Sequence, residues 1–309
     1  MEKGGIRGNV FLMIMTTTGS AFTMIPFYAK KTGIFLFLIM LIFPAFVSYL
    51  SSTVLYLGYK STQGKTYDEI MQKVLGKFFG LVSNVVIFIH TFGSTVAIIL
   101  FAFKISMSAF EEIFKFETQQ QIDSFTEVYQ VVYFLSIYIL LIILSIFGDI
   151  EKLKKISILG FFIIVYIMIV VMLEMPSYFD YYNSIEKIEI KGFIFDKDFF
   201  TSYGFASFLF LNQYSVIPII NNLTRLNGKR IHKVIKRTIM FVTGIYVLFV
   251  FMSYFSLPND TNLIPLIYIN RKVIPGKSNF WMLLAKIAFS INLICSTLIK
   301  AHFLILYFH

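Results

Sequence analysis

Apolar residues fall in eight runs, at about residues 8–29, 33–57, 81–103, 128–147, 156–173, 199–223, 239–257 and 280–301, separated by more polar connections. A bilayer core of about 30 Å takes roughly 20 such residues as a helix. The runs are continuous rather than alternating, which predicts spanning helices and not barrel strands. The first is too long, and too polar in its middle, for a signal peptide. Residues 67–75 carry apolar positions on one face and predict a short amphipathic helix at a membrane surface.

Two runs are interrupted by polar residues at mid-membrane depth, where each such side chain costs free energy unless it faces protein or a wet cavity. The first holds Thr16, Thr17, Thr18, Gly19, Ser20, Ala21, Phe22 and Thr23, with Pro26 following. Gly19 weakens helix propensity and Pro26 removes a backbone donor, so one reading is a locally unwound helix. The other is a small-residue stripe that lets two helices approach closely. In the sixth run, Phe208, Leu209, Phe210 and Leu211 lead into Asn212, Gln213, Tyr214 and Ser215, and Pro218 follows. Runs one and six correspond if the chain is built from five-helix repeats. Interruptions at matching positions of two halves point to a transporter site near the bilayer midplane. An unwound helix offers N–H groups to a carboxylate and carbonyls to a cation.

Other polar positions each admit two roles. His90, Thr91, Ser94 and Thr95 could line a cavity or hydrogen-bond between helices. Ser290, Asn292, Ser296 and Thr297 could give oxygen ligands to a cation or bond back to their own helix. Lys286 and Lys300 lie near the ends of the last run, which predicts snorkelling.

Composition agrees with the runs: 57% of the residues are hydrophobic, 14% are charged and the mean hydropathy is +0.77. The formal charge of +10 falls between apolar segments, so it suits a membrane surface rather than nucleic acid. With the N-terminus inside, the cytosolic connections hold 15 of the 27 Lys and Arg and the outer ones hold 10. The basic loop with Arg225, Lys229, Arg230, Lys233, Lys236 and Arg237 is then cytosolic. The sequon at Asn259 faces outward in this topology. One cysteine, Cys295, excludes an internal disulfide, and four His with one Cys make no convincing metal site. Phosphate-loop, dinucleotide and zinc-hydrolase motifs are absent, so the expectation is not an enzyme and no cofactor.

The residues from Gly19 to Pro26, then Phe27, Tyr28, Ala29, Lys30, Lys31, Thr32 and Gly33, resemble the first-helix signature of the amino acid/auxin permease family. Tyr67 to Ile70 with Leu75, Gly76 and Lys77 is similar to that family's stretch before helix three, and Phe208 to Phe210 with Pro218 and Leu223 to its sixth helix. The resemblance implies an all-α polytopic membrane protein with a leucine-transporter-type inverted-repeat bundle. Residues 8–173 would be the first five-helix repeat and residues 199–309 a partial second repeat of three helices. Relative to the family's eleven spans, the chain ends at His309 after eight.

By position, the resemblance puts substrate against Thr18, Gly19, Ser20, Ala21 and Thr23, facing Phe208, Phe210, Asn212 and Gln213. Ser296 and Thr297 fall where sodium-coupled members place a hydroxyl ligand, and His90 is a further candidate for ion coupling. The pattern's second Gly is Ala21 here, and its sixth-helix His and Glu are Gln213 and Asn222. Met15 stands where sodium-coupled members carry an Asn, and a thioether is a poor sodium ligand, which disfavours sodium and leaves protons or facilitated exchange. The expectation is alternating-access transport of small neutral amino acids, coupled to protons, in the plasma membrane or a vacuolar or lysosomal membrane. The alternative is a non-transporting relative acting as a membrane sensor or partner-binding subunit.

Overall fold

The computed structural model describes residues 5–308 except 20, 115–117, 148–149, 186–187, 224–226, 257–273 and 275–279. The sequon at Asn259 lies outside them. The described residues form helices and connections: α1 (Ile6–Thr18), a 3-10 turn (Ala21–Met24), α2 (Ile25–Thr32), α3 (Ile34–Thr62), α4 (Tyr67–Leu75), α5 (Lys77–Phe114), α6 (Gln119–Phe147), α7 (Ile150–Ile185), α8 (Asp198–Phe208), α9 (Gln213–Asn221), α10 (Gly228–Tyr254) and α11 (Phe280–Phe308). Seven helical segments, counting α8 and α9 as one, are long and apolar enough to cross a membrane. The pair α1 and α2, bent by 47°, makes an eighth. The chain is therefore an all-α, multi-pass membrane protein.

Helices run past the expected spans. Most of the outer connections read at 104–127 and 174–198 is helix, in the ends of α5 and α7 and the start of α6. Pro176 sits inside α7, and Tyr178 is buried one turn beyond the apolar run. Aromatic packing carries these polar-rich ends: Phe103, Phe110, Tyr129 and Tyr133 stack between α5 and α6, and the Tyr129 hydroxyl donates to Ser106 at 2.7 Å.

The elements pack in two sets that α1 joins. α3 packs with α2, α8, α9 and α10, and α10 with α1 and α2, while α11 packs with α5 and α7; α1 packs along α7 as closely as along α10. At one end of the bundle α4 lies across α3 and α5. Its start is capped by Thr66, whose hydroxyl accepts from the Glu69 amide at 3.4 Å, while Glu69 accepts from the Lys65 amide at 2.7 Å. Ile70 is the buried residue of α4 and fits against Gly58 and Gly64. At the other end, residues 191–194 cap α3. The Ile34 amide donates to Lys191 O at 3.0 Å and the Phe35 amide to Gly192 O at 3.1 Å. Gly33, at φ 85°, permits this approach, because a Cβ there would stand 2.7 Å from the Gly192 carbonyl.

Candidate functional site

Both interrupted runs are broken helices. α1 stops at Gly19, at φ 38° and ψ −151°, a backbone conformation that an L side chain resists. Pro26 is the second residue of α2, where its missing N–H costs nothing. In the other pair the helix opens over Leu209–Asn212, and Pro218 lies further along, inside α9. In both, the chain opens before the proline is reached.

A break frees carbonyls that would otherwise accept from residues one turn on. Here tyrosines meet several of them. The Tyr214 hydroxyl of α9 donates to Thr16 O at 3.1 Å. The Tyr246 hydroxyl of α10 lies 3.2 Å from Thr17 O and 3.3 Å from Leu209 O, so one proton is shared between the two breaks. Ser48 of α3 donates to Phe210 O at 2.9 Å. Asn212 joins the breaks through its side chain: its amide nitrogen donates to Thr17 Oγ1 at 3.2 Å, and its carbonyl oxygen, 3.2 Å from Ser48 Oγ, shares that hydroxyl's proton with Phe210 O. Thr16 Oγ1 and Ser215 Oγ are 3.3 Å apart. All of these side chains are buried, so each bond is made away from water and its loss would leave an unpaired group.

Beside this junction lies a cavity of about 210 Å³. One wall is the broken helices, with Thr16, Thr17, Gly19, Ala21, Phe205 and Phe208; the other is α5 and α11, with His90, Ser94, Ile98, Phe101 and Lys300. The lining is mainly apolar, with a few convergent polar groups. The His90 ring packs 5.8 Å from Phe208 and 5.7 Å from Tyr214.

Of the residues expected at the site, Gly19, Ala21, Phe208 and His90 line the cavity. Ser20 lies outside the described residues. Thr18 is buried and bonds back to Ile14 O at 2.9 Å, and Thr23 is buried in the 3-10 turn. Phe210 packs against Tyr246 with ring centroids 5.5 Å apart. Asn212 forms the junction rather than the cavity wall, and the Gln213 amide turns to Ser51 of α3 at 2.9 Å. Thr297 bonds back to Leu293 O at 3.0 Å, and Ser296 is buried with no hydroxyl partner among the described residues; neither lines the cavity. Among the described residues no group of three or more His, Cys, Asp or Glu could hold a metal.

The two lysines of α11 do not snorkel. Lys286 pairs with Glu112 of α5 at 3.0 Å. Lys300 is 7% exposed and opens onto the cavity. The expected run ends at 301, but α11 continues to Phe308, which puts Lys300 about 12 Å from the helix end. Tyr246 and Ser48 were also not expected. They are ordinary residues in apolar context, and only the fold shows what they face.

Residues 2–309 match the transmembrane amino acid transporter protein family. The chain belongs to that family. A relative from Plasmodium falciparum (isolate 3D7), named as a candidate amino acid transporter, AAT1, is 28% identical over 260 residues. The match takes in 83% of this chain and 40% of the relative, so this member of the transporter family spans less than half the relative's length.

Proposed function

We propose that the chain carries small neutral amino acids across a membrane by alternating access, with the substrate held in the cavity beside the two breaks. The observation that carries this reading is the cavity's position. It lies where the broken helices of one packing set face α5 and α11 of the other, so a relative movement of the sets opens it to one side or the other. The size and apolar lining suit one small solute with a neutral side chain. Thr16 and Thr17 use their hydroxyl protons on Met13 O, and although Thr17 Oγ1 already accepts from Asn212, each oxygen keeps a lone pair for a substrate ammonium.

Coupling to protons rather than sodium is the second part of the reading. Met15 abuts Gly160 and Asn292, where a Cβ on Gly160 would stand 2.8 Å from the Met15 sulfur, and a thioether ligates sodium poorly. His90 is a titratable group on the cavity wall. In the same reading, the helices of residues 8–173 and 199–309 are inverted repeats, the second of them partial.

Uptake of labelled neutral amino acids into proteoliposomes holding the 309-residue chain tests both parts. Saturable uptake driven by a proton gradient is expected. Gly19→Ala, which strains φ and puts a methyl near Lys300, is expected to cut it at least tenfold. Uptake driven by sodium alone would overturn the coupling. Folded, inserted protein without uptake under either gradient would favour a sensor or subunit role.

A further inference from the structure

Lys300 presents an ammonium inside the bundle, and a buried charge in this setting calls for a counter-charge. Other buried lysines of the bundle show how the chain meets that need. Lys286 has Glu112 at 3.0 Å and Ser108 at 3.3 Å, and Lys30 lies 4.5 Å from the centroid of the Tyr254 ring. Lys300 has neither an ion pair nor a hydrogen bond among the described residues. Its Nζ stands 3.8 Å from where a Cβ on Gly19 would be, at the cavity wall formed by the first break. No Asp or Glu is among the residues lining that cavity.

We infer that Lys300 is the seat for the carboxylate of the transported solute. The inference rests on the transport reading above and gives that site its chemical selectivity. An ammonium donates to either carboxylate oxygen, and in a site of low polarity the charge-assisted bond is strong. The neighbouring hydroxyls cannot take this role without giving up their own bonds, since Thr16 and Thr17 donate to Met13 O and Ser94 donates to Thr91 O at 3.0 Å. They accept, which suits the solute's own α-ammonium, carried on the same carbon as the carboxylate. A side chain extends toward Ile98, Phe101, Phe205 and Phe208. The arrangement requires a carboxylate, prefers an apolar side chain and repels a cationic one, because no lining carboxylate offsets Lys300.

A Cβ on Gly19 would meet the ammonium at ordinary contact distance, so glycine is required here by its backbone at φ 38° and not by crowding. A side chain there would occupy the space between the break and Lys300 Nζ. The break and the lysine thus form one feature.

The test measures binding of labelled L-alanine and L-leucine to the purified full chain in lipid nanodiscs, with competition by their amides. Lys300→Met and Lys300→Arg are carried beside it. Each amino acid is expected to compete at least tenfold better than its amide. Lys300→Met is expected to lose at least tenfold in affinity while the protein elutes as a single folded species, and Lys300→Arg to retain part of the binding. Equal binding by wild type and Lys300→Met, or amides that compete as well as the acids, would overturn the carboxylate seat and leave the transport reading standing. If Lys300→Met does not fold, the acid-to-amide ratio on the wild type decides. Wild-type protein that binds neither amino acid fails the transport reading, and the seat with it.

Discussion

At the residue scale, Tyr246 ties the two breaks together. Its hydroxyl serves Thr17 O and Leu209 O in a site with no exposure to solvent. Tyr246→Phe keeps the ring that packs on Phe210 but leaves both carbonyls without that donor. A loss of about 1–2 kcal/mol follows from one buried hydrogen-bond donor, read as a lower unfolding midpoint in detergent. An unchanged midpoint would mean that the carbonyls find other donors. The polar clusters around Thr17 and Asn212 were legible in the sequence as anomalies in apolar runs. Their division of labour was not. Asn212 joins the breaks and Phe210 packs under Tyr246, because which face of an opened helix a side chain takes depends on backbone angles that no local pattern specifies. Lys300 was misplaced for a simpler reason: hydropathy ends a span where apolar residues thin out, while the helix itself goes on to Phe308.

At the element scale, the amphipathic pattern over Tyr67–Leu75 gave that helix its bounds, since Thr66 caps it and Gly76, at φ 97°, ends it. Its attachment depends on Ile70, which fills the space beside Gly58 and Gly64. Ile70→Ala removes most of the buried apolar contact of α4 and should cost about 2 kcal/mol or more. Hydrogen exchange should then accelerate in α4 while α10 keeps its protection; uniform acceleration would show instead that α4 is part of the global unfolding unit. The ends of α5, α6 and α7 were not legible as helix. They are polar in composition, and those of α5 and α6 are held by aromatic packing across the two helices, a tertiary effect.

At the scale of the whole molecule, an arrangement of two packing sets around one cavity follows from helices broken at Gly19 and at Leu209–Asn212 and from their partners α3 and α10. The count of about eight crossings was legible from hydropathy, because spans depend on length and polarity alone. The cavity was not, because it is assembled from residues as far apart in sequence as Thr16 and Lys300.

The central claim is that this cavity holds the transported amino acid, and protection of a thiol placed in it tests that most directly. Ala97 lines the cavity, and Cys295 is the chain's one cysteine. Ala97→Cys in a Cys295→Ser background is treated in proteoliposomes with a small water-soluble thiol reagent, with and without L-alanine or L-leucine. The account predicts that labelling slows at least severalfold with either amino acid and is unaffected by its amide. Labelling that proceeds at the same rate at amino acid concentrations that saturate uptake would contradict it, and would place the substrate elsewhere in the bundle.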